Sequence, residues 1–426
     1  MVIIKNLIIY SLFFSFCLPQ GRMNALGIGH YNQFQGLNNA ADGFMELTPS
    51  FQKEVSIGNP STWHNLDYTY LSLSYSGDYS FISQSSIANG YSSLSNAIWI
   101  VPIKSKYALG LSLKPYADQK IKLLDENSLS FVGYDTTHSY VRSFERSGGI
   151  LSLNVGGTIM INEIIQLGYW HSALFGSTRQ SESLSFGGSS MIQTARMRYN
   201  GIISNLYLSM PFSNKFKLFS KYTFTYKPLQ AIIEKKYPFD DVNDNGYHDF
   251  VSPYFDFPFP DSVSSAPEIK YQNIHSPDGV SLGLNTSLNG RDFLSIELAN
   301  NIDNFDVSKN GNIIYPIDNR VKSTRLIRLL FSHYPSDISA RIIDKLSLKT
   351  GLCYYEHNLI NNESDIIEIG FSLSIGYKFK PVGNQIDISY YLANREYSDM
   401  NGKELVQQIQ LGIGLADIWF VKRRQK

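Results

Sequence analysis

Asp241-Val-Asn243-Asp-Asn245-Gly246-Tyr-His-Asp249 gathers more metal-type ligands than other stretches of this chain. Oxygen-bearing side chains recur at alternate positions and Gly stands sixth, the pattern by which a tight turn wraps hard oxygen ligands around calcium. The twelfth position is Ser252, where a helix-loop-helix site needs a bidentate Glu, so that site is excluded. Asp249, at the ninth, suits a different kind of calcium loop. Asp241, Asn243, Asn245 and Asp249 are therefore the candidate ligands, and the alternative is a polar turn without metal. An ion here would order a loop rather than catalyse. No other cofactor is indicated.

Trp170-His171-Ser172 brings a base beside a hydroxyl. On a strand, neighbours face opposite sides, so His171 and Ser172 cannot act on each other as a nucleophilic pair. His333 and His357 stand alone, and no enzyme is indicated. Cys17 and Cys353 are the only cysteines. With Cys17 in a leader, no intramolecular disulfide or cysteine zinc site is available. Lys422-Arg-Arg424 forms a short basic tail, suited to anionic lipid or to solvent.

The elements that would carry these residues are read best from 365–380. Ile367, Ile369, Phe371, Leu373, Ile375, Tyr377 and Phe379 alternate with Glu368, Gly370, Ser372, Ser374, Gly376, Lys378 and Lys380. Alternation of this kind gives a strand one apolar and one small or polar face, where a helix would mix the two. The apolar face extends about 40 Å, enough for a tilted strand to cross a bilayer core of about 30 Å.

The same pattern recurs at 67–76, 92–103, 107–123, 139–160, 164–175, 191–211, 216–234, 266–288, 293–301, 320–333, 346–357, 385–397 and 404–420. Asn289-Gly290 marks a hairpin. In 216–234, Lys217, Lys221 and Lys227 oppose an aromatic face and would line water. About fourteen strands result, an even number as bacterial outer-membrane barrels require. Short connections alternate with long ones at 124–138, 176–190, 235–265 and 302–319. This assigns short periplasmic turns, long external loops and both termini to the periplasm. The expected fold is all-β: a transmembrane antiparallel β-barrel of the outer membrane.

Composition agrees. The chain has 426 residues with 37 basic and 37 acidic side chains, so no charge excess points to nucleic acid. Tyr (28) and Phe (26) can supply interfacial girdles. Lys5, the apolar Leu7 to Leu18, and small residues at Gly21 and Ala25 read as a secretory signal, 1–25, cleaved after 21 or 25. Residues 26–66 are rich in Gly, Ala and turn formers and read as a plug inside the lumen. The barrel would span 67–421, with 422–426 as the basic periplasmic tail.

Gly58-Asn59-Pro60-Ser61, just before the first strand, resembles the Asn-Pro-Ala motif of the FadL/TodX family of hydrocarbon and fatty-acid transporters. The segment 97–116 and the ending 417–424 are similar to FadL-like proteins of the Bacteroidetes–Chlorobi group. Ser61 departs from Ala in the motif, and the chain continues past Trp419-Phe420. The resemblance implies a fourteen-stranded barrel with an N-terminal hatch and passive uptake of hydrophobic small molecules past Asn59 and Pro60. It also implies sideways exit through the wall, for which Gly110, Pro115 and Gly156 are candidates because Gly and Pro weaken a ladder. The alternative for the glycines is fit to curvature or to crowded lumen positions.

A related PorV-like branch implies a secretion-linked or structural barrel whose external loops bind a protein. Expected partners are thus outer-membrane lipids, a hydrophobic ligand and, in the alternative, a protein. An apolar lumen pocket favours transport. A filled lumen with apolar loop patches favours partner binding. An open polar channel would mean a diffusion porin.

Overall fold

The structure is a computed structural model. It describes residues 22–417 except 35, 83–86, 104–105, 126–130, 134–135, 139, 187–188, 214, 236–237, 244, 246–247, 258–267, 307–318, 337–340, 361–364, 380–383 and 399–401. The leader up to residue 21, Gly246 and the basic tail lie outside the described residues.

Fourteen antiparallel strands close into one barrel. They are β1 (Thr69–Ile82), β2 (Ile87–Ile103), β3 (Tyr107–Asp118, continued by Ile121–Asp125), β4 (Tyr140–Met160), β5 (Gln166–Phe186), β6 (Ser189–Pro211) and β7 (Phe216–Lys235). The second half is β8 (Ile269–His275 and Pro277–Ser287), β9 (Asp292–Asp303), β10 (Val321–His333), β11 (Leu346–Leu359), β12 (Asp365–Lys378), β13 (Gln385–Tyr397) and β14 (Gly402–Asp417). Each strand pairs with its sequence neighbours, and β14 pairs with β1 from Thr69–Asp417 to Ile82–Glu404. Closure satisfies the backbone where lipid offers no hydrogen bonds.

The outer face of the wall is apolar, and the inner face mixes small and polar residues with apolar ones that pack on the plug. Along β12, exposed and buried residues alternate without a break from Asp365 to Ser374 and beyond. Ile369 is 61% exposed while its neighbour Glu368 is fully buried. Lipid solvates the first set, and the lumen holds the second.

The wall is taller than the periodicity indicates. β1 runs on to Ile82, and β2 starts at Ile87. The stretch 176–190, expected as an external loop, is mostly ladder, with β5 and β6 paired from Gln166–Ser209 to Phe186–Ser189. Its Ser, Arg, Gln and Glu residues break the apolar alternation, but cross-strand hydrogen bonding continues above the lipid. β3 and β8, each expected as one run, are interrupted at 119–120 and at Ser276.

Residues 22–66 fill the lumen with short 3₁₀ turns and a two-residue strand, His30–Tyr31. Met23, Phe44, Met45, Leu47 and Trp63 are almost completely buried. The packed segment includes residues 22–25, four residues earlier than the expected plug boundary at 26.

Candidate functional site

Asn59 caps the 3₁₀ helix Pro60–Asn65. Its Oδ1 accepts from the Ser61 backbone N–H at 3.0 Å and from Ser61 Oγ at 2.6 Å, and its Nδ2 donates to Leu47 O at 2.7 Å. Pro60 is at the start of the helix, where its missing N–H costs nothing. Ser61 Oγ also meets Ser209 Oγ on β6. Trp63 packs edge-on against Trp170 of β5 with ring centroids 4.8 Å apart. The segment is thus a foot planted on β2 to β6, near the end where the short turns lie.

The wall makes room for that foot. A Cβ on Gly110 would lie 2.4 Å from the Trp63 ring, and one on Gly168 would lie 2.3 Å from the Ser61 nitrogen. Gly110 pairs with Ile100 on one side and with Gly156 on the other. Gly110 and Gly156 therefore face each other within an unbroken stretch of ladder, and Gly110 serves close plug packing. Gly168 was missed in the sequence.

The rest of the plug has almost no regular structure, so its backbone groups need outside partners. Wall side chains provide them. Glu297 of β9 accepts from Leu47 N and Thr48 N at 2.7 Å each and from Thr48 Oγ1 at 3.0 Å. Arg328 of β10 donates to Gln33 O at 3.0 Å, Lys349 of β11 to Ala41 O, and Arg146 of β4 to Asn24 O at 2.7 Å. Gln408 and Gln410 of β14 hold Leu37 by its N–H and C=O at 2.8 and 3.0 Å. Two of the three lysines expected to line water instead bind the plug: Lys221 reaches Glu46 and Lys217 reaches Glu54. Lys227 departs from that face. A register shift between Asn200 and Ile203 turns it toward Asn200, whose partner Phe175 is on the outer surface.

The wall is incomplete between β2 and β3. Among the described residues, their pairs run only from Ile103–Tyr107 to Ala97–Leu113. Beyond this, Pro115 has no N–H to donate, and the β3–β4 register shifts between Pro115 and Ala117. The edge of β3 then pairs with the plug: Ala117 with Tyr31 and Asp118 with His30. β2 continues up the wall with β1 alone.

A cavity of about 490 Å³ occupies the space so left. Leu94, Leu151 and Phe175 line it and are exposed on the outer surface. Ser76, Asp78, Gln408 and Gln410 also line it, and Ser76, Gln408 and Gln410 are buried on the lumen side. The far lip carries Gly148, at φ 104°, where a Cβ would meet Ser177 O at 2.4 Å. A smaller cleft of about 90 Å³ shares Asn32, Ser95 and Pro115 with this cavity and runs beside Lys114, Lys221 and Gly58. Elsewhere Ile28, Phe34, Leu37, Phe44 and Met45 of the plug pack in one buried apolar core with inner-wall residues such as Ile150, Leu174 and Leu330.

Tyr116, next to Pro115, bonds His275 Nε2 at 2.5 Å, and His275 Nδ1 meets Asp303 Oδ2 at 2.7 Å and Tyr31 OH at 3.0 Å. His275 sits at the interruption of β8. The bridge ties the inward part of β3 to the plug strand and to β8 and β9. No local sequence signal announces it, since its members come from four separate segments.

Asp241, Asn243, Asn245 and Asp249 share one turn between β7 and β8. Asn243 and Asn245 direct their amide N–H groups to Asp249 Oδ2 at 2.8 and 2.5 Å, and Asn245 N donates to Asp241 Oδ1 at 3.2 Å. Asp256, which the motif does not contain, closes the loop by accepting from Val242 N at 3.0 Å and Asp249 N at 2.6 Å. No group of three His, Cys, Asp or Glu able to hold a metal is found among the described residues. His171 and Ser172 do face opposite sides. His171 Nδ1 instead lies 3.0 Å from Ser204 Oγ of β6, which is wholly buried.

A closed fourteen-strand barrel with an apolar outer surface and an N-terminal plug defines the class: a plugged β-barrel of the bacterial outer membrane. Within that class the chain matches the family model described as BamG over residues 4–426, and it belongs to that family. Among solved structures it is similar to a Pseudomonas aeruginosa FadL homologue, at 12% identity over 91% of this chain and 99% of that one, with TM-score 0.57. The CymD monoaromatic hydrocarbon channel follows at 12% identity, 92% and 98% coverage and TM-score 0.54. The Ralstonia pickettii toluene transporter TbuX matches at 10% identity, 91% and 98% coverage and TM-score 0.52. At these identities the likeness is one of fold, and the FadL/TodX resemblance holds at that level. No curated protein matches the sequence.

Proposed function

We propose that this protein passes hydrophobic small molecules across the outer membrane and releases them sideways through the wall between β2 and β3. The unpaired stretch beyond Ala97–Leu113, with its cavity rimmed by Leu94, Leu151 and Phe175, supports this reading. A molecule with little affinity for water that reaches this gap would leave into the bilayer. Pro115 takes the part of the residue that ends the β2–β3 ladder. Asn59 and Pro60 take the part of the foot that keeps the plug seated. The transported class, long-chain fatty acids or other hydrocarbons, belongs to the same proposal.

The test is uptake of a radiolabelled long-chain fatty acid or toluene by cells with and without the protein. Obstructing the gap with Leu94→Trp and Ala117→Trp should reduce uptake to the level of the deletion strain. Uptake unaffected by deletion or by the obstruction would sink the reading.

A second reading rests on a separate observation. The hairpin Phe250–Val251 with Tyr254–Phe255, on the loop end of the barrel, exposes Val251, Tyr254, Phe255 and Phe257. Apolar residues clustered on an external loop suit a protein partner. Replacing Val251, Phe255 and Phe257 by Ser would then abolish co-purification of that partner and leave uptake intact.

A further inference from the structure

We propose that the outer face of the wall over β4 to β8, just above the lipid belt, binds the phosphates of a phosphorylated glycolipid of the outer leaflet. This goes beyond the transport reading and does not depend on the opening between β2 and β3. Arg179 of β5 and Arg196 of β6 stand directly opposite each other in the ladder. Their neighbours Thr178, Gln180, Ala195 and Met197 are buried, so both arginines point outward. Arg198, one outward position nearer the lipid, and Lys270 of β8 are exposed as well. Ile232 of β7 lies between these two and pairs with each.

Like charges directly opposite each other on one face of a sheet destabilise it. At other places on the outer face the opposed charges differ in sign. Arg325 stands opposite Glu356, 3.8 Å away, and Lys403 stands opposite Glu396 at 2.6 Å. Above the Phe175–Asn200 pair of β5 and β6 the acids do not balance the bases. Arg198 meets Glu234 at 2.5 Å and Glu268 at 2.8 Å, and Lys122 meets Glu145 at 3.9 Å. Arg179, Arg196 and Lys270 share the same face. Among the described residues of this sector, five cations thus face three carboxylates, an excess of two positive charges.

The height fits a headgroup. Leu151 and Phe175, paired and exposed, are the last large apolar residues on the outer face of β4 and β5 below the arginines. Arg179 is four residues beyond Phe175, about 13 Å along the strand and about 9 Å along the membrane normal at a tilt of ~45°. The polar layer outside a core of about 30 Å is about 5–8 Å deep on each side. The arginines therefore stand at the phosphate level, and Leu151 and Phe175 are placed to meet acyl chains. The planar guanidinium fork binds phosphate oxygens in pairs. A phosphate between Arg179 and Arg196 turns their mutual repulsion into a shared attraction.

The experiment uses the full-length protein in an uncharged detergent, with bisphosphorylated lipid A as the probe and native mass spectrometry as the readout. Wild type should bind the probe about tenfold more tightly than lipid A stripped of both phosphates. Arg179→Gln with Arg196→Gln should lose that preference. Arg325→Gln, which removes an outer cation already matched by Glu356, should keep it. Thermal unfolding gives a second readout. Without lipid, the paired substitution should not lower the unfolding temperature, because it removes a repulsion. With bisphosphorylated lipid A, wild type should be the more stable form.

Equal affinity for the phosphorylated and the stripped lipid would overturn the proposal. So would a preference that survives in Arg179→Gln with Arg196→Gln, or one lost equally in Arg325→Gln, since overall charge rather than this site would then be responsible. Displacement of lipid A by an equal concentration of inorganic phosphate would reveal a site for free anions and overturn the lipid assignment. Where the double variant fails to fold, Arg196→Gln alone carries the same comparison.

Discussion

The Glu297 carboxylate holds the plug through three donors on Leu47 and Thr48, in a site where Glu297 is itself buried. Removing it leaves those donors and the Arg328 guanidinium 3.5 Å away without their acceptor. Each orphaned buried group costs about 1–3 kcal/mol. Glu297→Ala is therefore expected to loosen the plug, read as increased ion conductance in planar bilayers and faster proteolysis within residues 22–66. Conductance equal to wild type would show that the plug does not depend on this clamp. The turn Asp241–Asp249 allows a second test at this scale. Calcium bound there needs oxygens where Asn243 and Asn245 now present amide N–H groups to Asp249. If the calcium reading holds, millimolar calcium will slow protease cleavage of the loop and EDTA will reverse the effect. Equal cleavage rates would leave a polar turn closed by Asp256.

Single strands carry two further expectations. Ile369 is exposed on the outer face of β12, among Ile367, Phe371 and Leu373. Ile369→Arg places a charge in the lipid belt at a cost of about 2–4 kcal/mol near the midplane. Unfolding from phospholipid vesicles in guanidinium should show that loss. No loss would mean that this face does not meet lipid. On β5, Gly168→Val forces a side chain into the space of Pro60 and Ser61. The barrel is expected to assemble but the foot to lift, so proteolysis after Trp63 increases while the heat-modifiable gel shift of the folded barrel persists.

For the molecule as a whole, if a secretory signal is removed as the sequence leads one to expect, the contacts of the plug bear on where cleavage falls. Met23 and Ala25 are buried, Asn24 Nδ2 donates to Lys120 O at 3.1 Å, and Arg146 donates to Asn24 O. Cleavage after Ala25 would discard these contacts and leave the buried Arg146 without one of its acceptors. Intact mass of the membrane-extracted protein should therefore place the mature N-terminus at Arg22. A start at Leu26 would show that residues 22–25 are dispensable. The same long-range contacts explain the opening in the wall. β3 gives its edge to a strand from the plug, about ninety residues earlier in the chain, instead of to β2.

Strand number, inside-out polarity and the presence of a plug were legible in the sequence because each is local. A period of two along each strand states which face meets lipid, and a turn-rich leader before the first strand states that something else fills the lumen. Glu368 beside Ile369 already records both faces. Strand lengths were read less well. Above the lipid, a ladder of Ser, Arg and Glu at 177–185 has no apolar face to count, although its backbone pairing is as good.

The tertiary structure alone decided which residues meet across the lumen. Gly110 and Gly156 were candidates either for a wall opening or for crowded lumen positions, and Trp63 arrives at Gly110. Just past Pro115, the plug strand pairs with Ala117 and Asp118, a partnership that nothing local to β3 announces. Glu297, Arg146, His275 and Asp256 owe their roles to partners far away in the chain or absent from any motif. A strand's alternation determines its inward and outward faces but carries no information about what stands opposite. In a barrel that is set by closure and by what the plug brings to the inner wall.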